Sequence, residues 1–78
     1  MTLRDLKPGQ KAQVLSFDSA NSELETRLRE IGFAEGDRVE LRHVGLFGRN
    51  PISIKLNGTL IAMRKAEAEA VNIELEDQ

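Results

Sequence analysis

The hydrophobic pattern switches from helical period to strand alternation between Arg27 and Leu41, with Gly32 and Gly36 at the join. Before the switch, "SELETRLREIGF" places Leu24, Leu28 and Ile31 at i, i+4 and i+7, which predicts one apolar helix stripe. Ser22 followed by Glu25 reads as a capping box. Gly32 suits the left-handed position that ends the helix, with Phe33 folding back on Leu28 as in a Schellman cap. Glu23–Arg27 and Glu25–Arg29 are i,i+4 pairs in the favourable order, worth about 0.2–0.5 kcal/mol each. A helix of about ten residues is marginal alone, so it must dock on something.

Period-two alternation marks the strands. In "KAQVLSFD", Ala12, Val14 and Ser16 alternate with Gln13, Leu15 and Phe17, predicting a first strand covered on both faces. It follows "LRDLKPGQ", a short helical turn closed by a type II turn at Pro8-Gly9. Gly36 closes a turn before "DRVELRHV", where Val39 and Leu41 face inward. Beyond Leu41, strict alternation turns His43 inward, whereas a bulge there gives the inward place to Val44. "ISIKLNGTLIAMR" is a hairpin, because Asn57-Gly58 meets the demand of a type I′ turn for positive φ at both positions. That turn pairs Ile52 with Met63 and Ile54 with Ile61, putting both pairs on the core face with Leu56. Leu60 and Ala62 point the other way. "KAEAEA" has length for a turn or two of helix, and "VNIELE" is a closing strand with Val71, Ile73 and Leu75 inward. The expectation is a mainly β fold: a small barrel of about five strands, one short helix inserted between strands 1 and 2, and a helical turn before the last strand. Barrel closure would remove the edges of an open sheet.

At 78 residues this reads as one domain, 1–78, with a modest core. Without cysteine, no disulfide or thiolate zinc site can staple it. The N-terminus lacks a signal-peptide apolar run and no stretch approaches a membrane span, so a cytoplasmic protein is expected. Eleven basic and thirteen acidic residues give a net charge of −2, read as spread along the chain, with no bulk attraction to nucleic acid or anionic lipid.

Catalysis finds little support, since the acids fall mostly at solvent-facing positions and the single His has no obvious partner for an acid–base pair or triad. No cofactor motif is present; the glycines at 45 and 48 lack the Lys-Ser/Thr ending of a phosphate loop. His43 is the one metal-ligand candidate, and transition-metal sites want two or more imidazole or thiolate ligands. Leu46 and Phe47 at a loop tip, with Leu60 and Ala62 on an outward strand face, form a candidate apolar docking patch.

Placed in order, "LRDLKPGQKAQV", "LETRLREIGFAEGDRVEL" and "FGRNPISIKLNGTLIAMRKAEAEAVNIEL" resemble the FeoA family of ferrous iron transport accessory proteins, over about Leu3 to Leu75. The join residues Leu28, Gly32, Gly36 and Val39, then Gly48, Pro51, Ile61, Ala62 and Arg64, carry the likeness. The resemblance implies an SH3-like barrel and a non-enzymatic cytosolic partner of the FeoB-type ferrous iron permease, near the membrane only through that partner. Two positions depart from the family pattern: Glu35 stands where Pro is common, and Asn50 where an acid often precedes Pro51. Arg27, Arg29 and Arg64 are then candidates for rim charge around the apolar patch. A metal-responsive regulatory domain and a generic SH3-like peptide binder stay open as alternatives, and self-association is left open too.

Overall fold

The computed structural model describes residues 1–76. A 3₁₀ turn at Leu3–Asp5 precedes β1 (Lys11–Phe17), α1 (Ser22–Ile31), β2 (Arg38–Val44), β3 (Ile52–Leu56), β4 (Thr59–Met63), α2 (Lys65–Glu69) and β5 (Val71–Leu75). The strands pair antiparallel in the order β4-β3-β2-β1-β5. This is the mainly β arrangement expected, with the one substantial helix between β1 and β2.

Hydrogen bonding does not close the sheet: among the described residues β4 and β5 share no ladder. Side chains do the closing, since all five strands, α1, α2 and the 3₁₀ turn send residues into one core cluster. The outer edge of β5 is covered by the N-terminus, through a bridge between Thr2 and Asn72 and the Ile73 N–H donating to the Met1 carbonyl at 2.9 Å.

The β3–β4 hairpin follows from its turn. Asn57 and Gly58 take φ of 49° and 83°, and the ladder runs Leu56–Thr59, Lys55–Leu60, Ile54–Ile61, Ser53–Ala62 and Ile52–Met63. A two-residue turn leaves no other register.

Bulges change which side chains point inward elsewhere. In β1 the register shifts between Val14 and Ser16, so Ala12, Val14 and Phe17 are buried while Leu15 is 48% exposed. One extra residue reverses strand parity. The strand is thus covered on one face only, not two. In β2 the shift falls between Leu41 and His43; His43 faces solvent and Val44 leans on the core. At the far end of β5, Val71 and Ile73 are buried but Leu75 is not.

The helix is capped one residue earlier than the Ser22–Glu25 pattern indicates. Asn21 Oδ1 accepts the Leu24 N–H at 3.1 Å, and Asn21 sits in the extended region required of an N-cap. Asn caps as well as Ser does, and the Glu25 carboxylate goes instead to Arg29 at 3.3 Å. At the other end the Phe33 N–H donates to the Leu28 carbonyl and the Gly32 N–H to that of Arg29, the two bonds of a Schellman cap. Gly32 has φ 126°, which an L side chain would resist. The reversal drives Phe33 into the core beside Leu28, and Ile31 is left 43% exposed. The inward stripe is therefore Leu24, Leu28 and Phe33, not Leu24, Leu28 and Ile31.

Candidate functional site

Two neighbouring surface features collect most of the candidate residues. The first is the loop from Gly45 to Pro51, joining β2 to β3. Its foot is narrow: the Gly45 N–H donates to the Pro51 carbonyl at 2.7 Å. Asn50 N–H donates to the Phe47 carbonyl at 3.2 Å across Gly48 and Arg49, both at positive φ, which makes a type I′ turn. Three further bonds tie the foot to the body. The Arg49 guanidinium donates to the Leu6 carbonyl, Arg4 Nη1 to the Arg49 carbonyl at 3.3 Å, and the Lys65 N–H to Asn50 Oδ1 at 3.0 Å. The tip touches little: Leu46 is 96% and Phe47 86% exposed. The bonded foot thus presents an apolar pair to water.

The second feature is a groove where α1, β4 and α2 meet, lined by Leu24, Arg27, Pro51, Ala62, Met63 and Arg64 among others. Arg27 crosses it to Glu67 on α2 at 3.8 Å, rather than pairing with Glu23 along its own helix. The other Glu67 oxygen accepts the Arg64 N–H at 2.9 Å and so caps α2. Arg27, Ala62 and Arg64 thus share one depression with an apolar floor and a charged rim. Leu60 does not join it. It lies beside the Asn57–Gly58 turn, at the opposite end of the hairpin from the Leu46–Phe47 loop.

Arg29 is occupied elsewhere. Its guanidinium lies 4.7 Å from the Phe17 ring centroid and donates to both oxygens of Glu35 at 2.9 Å and to Glu25 at 3.3 Å. It ties the helix to the turn after it, where Glu35 and Gly36 lead into β2. These hydrogen bonds, first to Glu35 and then to Glu25, raise the Arg29 pKa above its already high ordinary value. Hydrogen bonds from Arg29 hold the Glu35 carboxyl below the usual carboxylate range. The Glu35 contribution to stability is then present above the unfolded carboxylate value of roughly 4.3 and lost as pH falls through the lowered folded value. A carbon-detected NMR titration should place the Glu35 midpoint below that reference, and Arg29→Gln should move it back toward the reference, the remainder being held by a backbone hydrogen bond to Glu35; a midpoint that Arg29→Gln leaves unmoved would refute the clamp.

His43 projects from the β2 bulge opposite Ser53, and among the described residues no three His, Asp or Glu side chains converge to hold a metal ion. No helix among them is long and apolar enough to cross a membrane. Pattern reading missed the Arg49–Leu6 tether and the Asn50–Lys65 tie, and nothing in local spacing signals either.

The family model for the FeoA domain matches residues 1–75. The chain belongs to the FeoA family. It is 32% identical over 75 residues to "Putative Fe(2+) transport protein A" of Campylobacter jejuni, a match covering 96% of this chain and 99% of that protein. Among solved structures it resembles the zinc-complexed FeoA of Stenotrophomonas maltophilia, a procaryotic SH3 domain protein, with TM-score 0.82, 34% identity, and 95% and 89% of the two chains covered. A FeoA-like protein from Clostridium acetobutylicum superposes with TM-score 0.90 over all of this chain and 88% of its own. At 20% identity that likeness is one of fold. The fold is therefore the SH3-like barrel of FeoA proteins, a family accessory to ferrous iron transport.

Proposed function

We propose that this FeoA-family chain is a non-enzymatic accessory of ferrous iron uptake that docks on the cytosolic region of a FeoB-type permease and modulates it by contact. The observation that supports this reading is the groove between α1, β4 and α2. Its floor is apolar through Leu24, Ala62 and Met63, and its rim carries Arg27, Arg64 and Glu67. An apolar centre with a charged rim is the anatomy of a protein interface. Arg27 and Arg64 keep exposed side chains there, whereas Arg29 is committed to its own clamp. No catalytic role is assigned to any residue, and the chain acts on the cytosolic side.

Titration of the chain against the permease's isolated cytosolic region, with and without guanine nucleotide, tests this. Saturable binding is expected. Ala62→Glu, which places a carboxylate on the exposed floor without touching the core, should weaken it by about tenfold or more. Absence of binding in both nucleotide states, or an unchanged affinity for Ala62→Glu, would sink the reading.

A further inference from the structure

Charge along the chain is not evenly spread. Between Glu40 and Glu67 there is no acidic residue, yet Arg42, Arg49, Lys55, Arg64 and Lys65 all lie in that span, together with His43. Five cations and no acids make the span +5; the remaining six cations and thirteen acids make the rest −7, giving the net −2. Leu46 and Phe47 sit inside the cationic span.

The fold concentrates this further. The bond from Arg4 Nη1 to the Arg49 carbonyl brings a sixth cation from outside the span to the loop foot. Lys65 is held there through Asn50, and Arg42 is exposed on the β2 bulge leading into the loop. The acids at hand are Asp5 beside Arg4, Glu40 at 3.8 Å from Arg42 and Glu69 at 4.0 Å from Lys65. Such exposed pairs are weak and leave the cations free to exchange partners.

We infer that the Leu46–Phe47 tip is a wedge for an anionic lipid surface: the two side chains enter the headgroup–acyl boundary while Arg4, Arg42 and Lys65 meet lipid phosphates, with Arg49 holding the foot through the Leu6 carbonyl. The shape favours lipid over protein. A stable protein interface buries roughly 800 Å² on each partner, far more than two protruding side chains offer. A bilayer sets no such minimum, and it rewards apolar insertion and basic flanks together. The tied foot keeps the tip ordered before it binds, so insertion sacrifices little conformational freedom. With only two apolar residues the contact is reversible, a second anchor beside docking on a membrane protein. It does not depend on the permease reading, because lipid alone is the ligand.

The chain has no Trp or Tyr, so F47W supplies a single fluorophore at the tip. Mixed with phosphatidylcholine vesicles containing phosphatidylglycerol, the full chain carrying F47W should show blue-shifted emission, quenched by brominated acyl chains. Pure phosphatidylcholine and high salt should each abolish the shift. In vesicle co-sedimentation of the otherwise unaltered chain, L46S/F47S should lower partitioning by about tenfold or more with an unchanged melting temperature. R42Q should lower it several-fold, as loss of one basic contact with the surface does. An F47W emission that anionic vesicles leave unmoved overturns the inference. So does equal partitioning of L46S/F47S and the parent chain, or tip-dependent binding to the permease region with no binding to vesicles.

Discussion

Leu28→Ala should lower folding stability by about 2–5 kcal/mol, the usual loss for truncating a buried leucine. Leu28 is fully buried and is the residue by which α1 is seated on the core, between half-buried Leu24 and buried Phe33. A domain of this size has a total stability of roughly 4–12 kcal/mol, so the substitution removes a large share of it. Ile31→Ala is the control. Ile31 lies three positions along the same helix and matches Leu28 in sequence period, yet it is 43% exposed and should cost well under about 1.5 kcal/mol. With no Trp or Tyr in the chain, urea unfolding followed by far-UV circular dichroism is the suitable measurement. Equal losses for the two variants would mean that the helix docks through Ile31 after all.

Gly45→Ala is expected to cost about 3 kcal/mol and to release the loop that carries Leu46 and Phe47. A Cβ at Gly45 would lie 2.3 Å from the Asn50 carbonyl oxygen, 2.4 Å from its carbon and 2.7 Å from the Pro51 nitrogen. These are backbone atoms and cannot rotate aside, so the foot must open and the Gly45–Pro51 hydrogen bond must lengthen. Gly48→Ala provides the comparison. It has open space around it but φ of 64°, so its cost is conformational alone, about 1 kcal/mol. Urea midpoints should rank the two variants in that order. Amide exchange in Gly45→Ala should be faster at the backbone N–H of position 45 than in the parent chain, since its bond to the Pro51 carbonyl is the one that must stretch. The reverse ranking would show that the loop is not closed at its foot.

Much of the fold was legible because the signals were local. Asn57-Gly58 determines a register through two dihedral angles, and Gly32 followed by Phe33 ends a helix through two backbone bonds within six residues. The Ser22–Glu25 pattern points one residue past the true N-cap because Asn21 and Ser22 are chemically equivalent caps, and in the fold it is Asn21 whose Oδ1 accepts the Leu24 N–H. The candidate site was less legible. Arg27 finds Glu67 forty residues away, and Arg49 finds the Leu6 carbonyl forty-three residues away. No periodicity records such pairings. The acid-free span from Leu41 to Ala66 was visible in the sequence, but its meaning depends on the loop that gathers Arg4, Arg49 and Lys65 at one foot.

By itself the amino-acid order determined the number and type of the elements, the hairpin register, the helix stop and the family. Only the tertiary structure decided which side chains point inward past the bulges, so that Phe17 is buried and Leu15 and His43 are not. The physical reason is parity. Within a strand each residue dictates the side of the next, but an extra residue resets that alternation, and where it is inserted depends on the partner strand's own pairing.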